Sequence, residues 1–405
     1  MLQSLFTIWT TQADSKRDID LVAPSARRFP NCCSRLNATR CTSILKYRKS
    51  LLFSLILFLL FQFGYETYRY IVTISRPLWD IENLPDGDVM MNFGWSGSSS
   101  VSCPLHNWTD QGFASKVYDV FPLSNEWDLL EIRLEELYPV VTLFYIFEMP
   151  CFFDGTVKKT TYNDFRSRYS KYQDKIVYIK ALQDECEKLD INSLPMFSME
   201  TKLRTFIRRR AHYDFQKTDV IFFGDLDEIP RRSTVELLRY CTGWPVDRIQ
   251  LEYSNFMYSF SMFSRSYNPK PAAYRISSGM YDIGDVLHHG YRSMKSPILS
   301  EAGWHCSWCF GSIEEIIQKM KGYSHRDRLR HERLLSPEVV LENSCSGTDP
   351  LGYDLEVYSF SNLLDLYDGI KETYGTHNVP LLLQNQPHRF RFLLPGGCRH
   401  RPYKN

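Results

Sequence analysis

The sequence lacks net charge. Lys and Arg number 48 against 47 Asp and Glu, a formal +1 at pH 7. That balance argues against nucleic acid as a partner held by bulk charge. Internal repeats are absent. A second cysteine pair at zinc spacing is missing too, so the C-x-x-C of Cys306 and Cys309 reads as a structural disulfide rather than a zinc finger. Finally, no small-residue cleavage site follows the one long charge-free run, and residues 1–49 precede it. Both facts argue against a cleaved signal peptide.

That run is Ser50–Tyr65, "SLLFSLILFLLFQFGY". As a helix it spans about 24 Å, a little short of a bilayer core. Lys46, Arg48 and Lys49 stand before it, and the positive flank stays in the cytosol. The expectation is a cytosolic tail over 1–49, a transmembrane signal-anchor over 50–65 and a lumenal remainder. Eleven cysteines fit this layout. Cys32, Cys33 and Cys41 precede the anchor, and an even set of eight follows it, as suits an oxidising lumen. Asn107 in "NWT" is an acceptor for N-glycosylation there. Residues 66–116, with "GWSGSSSVS", read as a stem or linker. A globular region spans 117–394, and 395–405 is a C-terminal tail. Aromatics make up 15% of the chain, which first suggests a ring-rich core.

Helix and strand signals alternate inside the globular region. "EWDLLEIRLEELYP" sets Leu130, Leu134 and Leu137 on one helical face. "VVTLFYIFE" follows as a buried strand ending in Glu148, and "DKIVYIKAL" is a second strand. "FSMETKLRTFIRRRAHYDF" is a cationic helix, and "DVIFFG" is a third strand. "STVELLRYC" is then a helix, with Ser233 as N-cap and Glu236 completing a capping box. The succession predicts an α/β layered domain with a largely parallel sheet, which binds ligands beyond the carboxyl ends of its strands.

Asp225, Asp227 and Glu228 follow "VIFFG" at such an end. Residues two apart on an extended backbone share a side. Two carboxylates there make a hard oxygen site for Mn²⁺ or Mg²⁺, and such ions usually also ligate a substrate diphosphate. A solvated turn capping the next helix is the plainer alternative. Haloacid-dehalogenase-type phosphatases carry D-x-D-x-[TV] after a strand, but Ile229 occupies the last position here.

"FPLSNEWDLLEIRLEELYPVVTLFYIFEMPCFFDG", "FFGDLDEIPR" and "AGWHCSWCF" occur in that order. Together they resemble glycosyltransferase family 17, over roughly Phe121 to Leu394. After Glu148 the family often continues with polar residues, where this chain has "MPCFFDG". The resemblance implies a GT-A-like fold, a UDP-sugar donor, a divalent metal and an inverting displacement. It further implies transfer of N-acetylglucosamine from UDP-N-acetylglucosamine to the β-linked core mannose of an N-glycan, by a single-pass type II enzyme of the Golgi membrane. A related transferase with another donor or acceptor, or a lumenal glycan-binding protein without catalysis, are the alternatives.

Candidate roles follow. Asp225 and Asp227 hold the metal. Glu148, Arg204, Arg208 and Glu228 are candidates for the nucleotide-sugar, Arg204 and Arg208 because they share a helical face. The base that takes the acceptor proton is sought among Asp282, Glu301 and Asp327, with Glu301 first and Asp327 next. Trp304, His305 and Trp308 are acceptor candidates. The indoles can stack on a sugar or simply pack, and the alternatives for His305 are a metal ligand, an acceptor contact or, as the plainer reading, a packed, hydrogen-bonded histidine.

Topology is directly testable. Protease added to sealed microsomes should trim only the tail before Lys46, and Asn107 should carry glycan. A protected tail with a bare Asn107 would reverse the orientation.

Overall fold

The computed structural model describes residues 88–400 except 153–155, 182–202, 204–205, 208–214, 245–247, 265–270, 277–295, 323–328, 330, 352–370, 373–377, 397 and 399, and also describes residues 54, 55 and 64. Contacts divide the chain into two units, Met1–Thr73 and Ile74–Asn405, and every strand belongs to the second. Among the described residues no helix is long and apolar enough to cross a membrane. The run expected as an anchor lies outside them, save that Ser54, Leu55 and Gly64 are helical.

The first half begins with β1 (Val89–Met90), α1 (Ser99–Leu105), β2 (Thr109–Asp110) and β3 (Val117–Leu123). It continues with α2 (Trp127–Leu137), β4 (Leu143–Glu148), α3 (Tyr162–Phe165), β5 (Ile176–Lys180) and β6 (Val220–Phe223). Then come β7 (Glu228–Pro230), α4 (Arg232–Tyr240), β8 (Cys241–Thr242), β9 (Arg248–Met257), β10 (Ser259–Ser264) and β11 (Ala272–Arg275). The last part holds β12 (Ile298–Ser307), α5 (Ile313–Gly322), α6 (Pro337–Ser346), β13 (Lys371–Glu372) and α7 (Leu381–Asn385).

The main sheet runs β1-β12-β9-β11-β6-β3-β4-β5. The strands expected from "VVTLFYIFE", "DKIVYIKAL" and "DVIFFG" are β4, β5 and β6, and together with β3 they pair in parallel. Their carboxyl ends therefore share one edge. The sheet is nonetheless mixed. β11 lies antiparallel between β6 and β9, while β9 and β12 are parallel to each other. β7 pairs antiparallel with β12.

Three departures from the sequence reading have physical causes. The segment read as a stem is built into the fold from β1 onward: β1 adds to β12, and Cys103 of α1 is bonded to Cys241. Its Gly and Ser content signals a loop, but a covalent tie overrides composition. Likewise Cys398, in the expected tail, is bonded to Cys345 of α6. α4 starts at Arg232, so Ser233 lies inside the helix and not at its cap. A side chain from another helix serves there instead. Glu136 of α2 accepts from the Arg232 N–H at 3.4 Å and from the Leu381 N–H at 2.9 Å, satisfying the starts of α4 and α7. Burial raises the Glu136 pKa, against the pull of these donors.

α2 is buried on nearly every side, charged residues included: Asp128, Glu131, Arg133 and Glu136 lie inside with its leucines. Ion pairs make that tolerable. Arg168 reaches Asp128 at 2.5 Å and Glu131 at 2.7 Å, and Arg389 also pairs with Glu131.

Cys306 and Cys309 are bonded to each other, and Cys151 is disulfide-bonded as well. The Cys103–Cys241 bond spans 138 residues of sequence. Loop-closure entropy for a span of that size is on the order of 4–5 kcal/mol. The double variant Cys103→Ala, Cys241→Ala should unfold at markedly lower denaturant, measured on the full chain. An unchanged midpoint would show that packing of α1 alone suffices.

Candidate active site

β6 is apolar and buried along its length. It ends at Phe223, Gly224 follows, and Asp225 opens a turn closed by the Glu228 N–H on the Asp225 carbonyl at 3.0 Å. The acids thus sit on a turn between β6 and β7, not on an extended strand end. Glu228 folds back beneath it, and its Oε2 accepts from the Asp225 N–H at 2.7 Å. Gly224 is needed for this: a Cβ there would stand 2.8 Å from that same oxygen. Glu228 was expected at the nucleotide-sugar; its carboxylate is instead buried and spent on the turn.

Arg133 of α2 braces the turn from inside. Its Nη1 donates to the carbonyls of Asp225 (2.7 Å), Glu228 (2.8 Å) and Leu226 (3.3 Å). Nε and Nη2 grip Asp119 of β3 at 2.8 and 2.7 Å. Burial opposes the charge, but Asp119 outweighs it and holds the Arg133 pKa above its usual value.

On the outer side Asp227 meets two partners. Lys319 of α5 donates to Oδ2 at 3.1 Å and reaches Glu126 at 3.4 Å. Burial works against the ammonium, yet these two carboxylates raise its pKa. Oδ1 lies 3.9 Å from Nε2 of His305. His305 faces Glu228 across the β7–β12 ladder and Asn255 across the β9–β12 ladder. The Cys306 N–H also donates to the Asp227 carbonyl at 3.0 Å. β12 comes this close because of Gly303, where a Cβ would stand 2.3 Å from the Ile229 carbonyl oxygen.

The other sequence candidates are scattered. Glu148 is fully buried at the end of β4, where Oε2 accepts from Tyr178 at 2.7 Å and from the Tyr162 N–H at 3.0 Å. Its Oε1 faces Lys158 at 3.8 Å. Burial raises the pKa of Glu148 and lowers that of Lys158. The pair ties the segment after β4 to the end of that strand. Glu301 stands beyond the opposite end of β7 from Asp227, four positions and about 13 Å along β12 from His305. There it bonds Ser254 at 3.1 Å and approaches Arg231 at 3.5 Å. The structure does not bring it to the acidic turn. Trp304 and Trp308, expected at the acceptor, lie in the core at 4% and 6% exposure. Trp304 carries Arg231 over its ring at 4.3 Å and donates to the Asn378 carbonyl at 3.1 Å. Asn107 is exposed, as a glycosylation acceptor must be. Arg204, Arg208, Asp282 and Asp327 lie outside the described residues.

Arg133, Lys319, Glu126 and Asn255 are the residues that sequence reasoning missed. Lys319 in "EEIIQKMKG" reads as a solvated helix-end cation, and nothing local distinguishes it. Among the described residues no three His, Cys, Asp or Glu side chains gather as a metal centre. The donors at the turn still suit a divalent ion that shares its coordination with a diphosphate, because such an ion needs only one or two protein ligands.

An acidic turn at the end of a parallel strand is common to several enzyme classes, so the comparison with known proteins decides among them. The profile of glycosyltransferase family 17 matches residues 44–401. The chain belongs to that family. Within glycosyltransferase family 17, it is similar to the human protein named β-1,4-mannosyl-glycoprotein 4-β-N-acetylglucosaminyltransferase, at 22% identity over 337 residues. The match covers 71% of this chain and 58% of that relative.

The brace yields a sharp test. Arg133→Met removes the charge, keeps much of the volume and leaves Asp119 buried without its partner. Breaking a buried pair in this way costs about 3–5 kcal/mol. Urea unfolding of the full chain should show that loss, and wild-type stability would mean the turn holds without the guanidinium.

Proposed function

We propose that this chain is a Golgi type II glycosyltransferase. It moves N-acetylglucosamine from UDP-N-acetylglucosamine, with inversion, to the β-linked core mannose of an N-glycan. The observation that carries the reading is the braced Asp225–Glu228 turn at the carboxyl edge of the parallel strands, in a chain of glycosyltransferase family 17. The human relative, named for transfer of N-acetylglucosamine to a β-1,4-mannosyl glycoprotein, supports the transferred sugar and a mannose acceptor. The disulfides and the exposed Asn107 support a lumenal setting.

Inverting transfer asks the protein to hold the donor diphosphate rigidly and to offset the charge that grows on it. Arg133 supplies rigidity by fixing three carbonyls of the turn. Lys319 supplies a fixed positive charge at the turn and orients the Asp227 carboxylate. Glu126 holds that ammonium from its other side. Mn²⁺ or Mg²⁺, held by Asp225 and Asp227, would add Lewis-acid stabilisation of the departing diphosphate.

A donor-by-acceptor screen of the purified full chain, with linkage analysis of the product, tests the reaction. Asp225→Asn and Asp227→Asn are near-isosteric and should fold normally while losing transfer by at least ~10²–10³-fold. Lys319→Met should slow transfer less than either. Wild-type transfer by both Asp variants would remove the turn from the mechanism.

A further inference from the structure

We propose that a cavity between β10, α6 and the C-terminal residues holds one neutral sugar ring of an oligosaccharide acceptor, apart from the ring that reacts. The inference rests on the glycosyltransferase reading and deepens it, by assigning an acceptor subsite outside the acidic turn.

The lining chemistry comes first. Ser259 and Ser261 stand two apart on β10 and turn the same way, with their hydroxyls 2.6 Å from each other. Ser344 of α6 and His400 line the same cavity, with His400 Nε2 2.9 Å from the Ser344 hydroxyl. Tyr258, Phe392 and the Cys345–Cys398 bond supply the apolar part of the wall. Among the described residues no Asp, Glu, Lys or Arg lines it. Burial lowers the His400 pKa, so the imidazole is neutral at pH 7. Hydroxyls donate and accept without bringing charge. A phosphate or carboxylate placed here would be a buried charge without a partner. A pyranose fits the wall instead, with hydroxyls at its rim and C–H groups on its faces.

Size is the second point. The cavity volume is about 80 Å³. At ~10–15 Å³ for each enclosed water, it has room for roughly five to eight of them. Displacing that many waters is the scale of one sugar ring.

Position links the cavity to the acidic turn. Tyr258 joins β9 to β10, and its N–H donates to the Ser307 carbonyl at 2.8 Å. Ser259 is the register partner of Met257, and Met257 is that of Ser307 on β12. The β10 wall therefore lies two strand spacings, about 10 Å, from Ser307. The Ser307 hydroxyl bonds His305 at 3.0 Å, and His305 stands beside Asp227. An oligosaccharide bridges such a span and a single sugar does not. The walls are also fixed to one another. The Cys345–Cys398 bond ties the C-terminal residues to α6, and the Tyr258 hydroxyl donates to the Thr348 carbonyl just past α6 at 2.8 Å. A preformed wall lowers the ordering cost of binding.

The test is binding of a neutral core N-glycan oligosaccharide to the full chain, read by titration in saturation-transfer NMR. Wild type should bind. Ser261→Leu fills the cavity and should weaken binding at least ~10-fold. Ser261→Ala removes only the hydroxyl and should weaken it less, by ~3–10-fold. In transfer assays Ser261→Leu should raise the acceptor KM and leave the donor KM unchanged. Unfolding midpoints check that each variant is folded, with Ser259→Val as the substitute if Ser261→Leu is not. Wild-type oligosaccharide affinity in the folded, filled variant overturns the subsite. A wild-type chain that binds no neutral oligosaccharide overturns it too. Transfer with an acceptor KM that the filled cavity does not move overturns the subsite and leaves the transferase reading intact. Binding that depends on Ser261, in a chain that transfers no sugar, supports the subsite and sinks the transferase reading.

Discussion

A guanidinium sealed from water holds this site together. Arg133 faces Asp119 on one side and three turn carbonyls on the other, and its side chain is 1% exposed. Burying such a charge is tolerable only when every donor finds an acceptor. Here Nε, Nη1 and Nη2 all do. The consequence runs outward. With its carbonyls tied inward, the turn buries Leu226 and Glu228 and leaves Asp225 and Asp227 half-buried, and Glu228 locks the turn by taking the Asp225 N–H.

Strand register brings in the second half of the site. β12 is held between β9 and β7, and that position sets His305 against both Asn255 and the end of the acidic turn. Gly303 allows the close approach, since any side chain there would strike the Ile229 carbonyl and the Tyr253 ring. The Cys306–Cys309 bond ties off the end of the same strand. α5 then delivers Lys319 from a different part of the chain. Two segments distant in sequence, β12 and α5, converge on Asp227.

Much of the scaffold was legible because it is local. β4, β5 and β6 announce themselves as apolar runs, and the acids after β6 mark a strand end. The family was legible in three blocks, and its profile match extends over residues 44–401. The errors of placement share a cause as well. Trp304 and Trp308 belong to the same few residues as His305, but alternation along β12 and the positive φ of Trp308 send the rings into the core. Glu301 is close in sequence to His305, yet a strand separates residues by ~3.3 Å each, so four positions carry it beyond the other end of β7.

What the sequence determined by itself is chemistry of composition: which strands are apolar, where the carboxylates fall, that eight cysteines follow the one hydrophobic run, and which family the blocks resemble. Tertiary structure alone decided which charges meet. Arg133 looks like one more cation on a helix, and Lys319 like a solvated helix end. Each becomes part of the site only because packing takes it out of water, where an opposite charge or a carbonyl must compensate it. That requirement acts between residues distant in sequence, such as Arg133 and Asp225 or Lys319 and Asp227, and no local pattern encodes it.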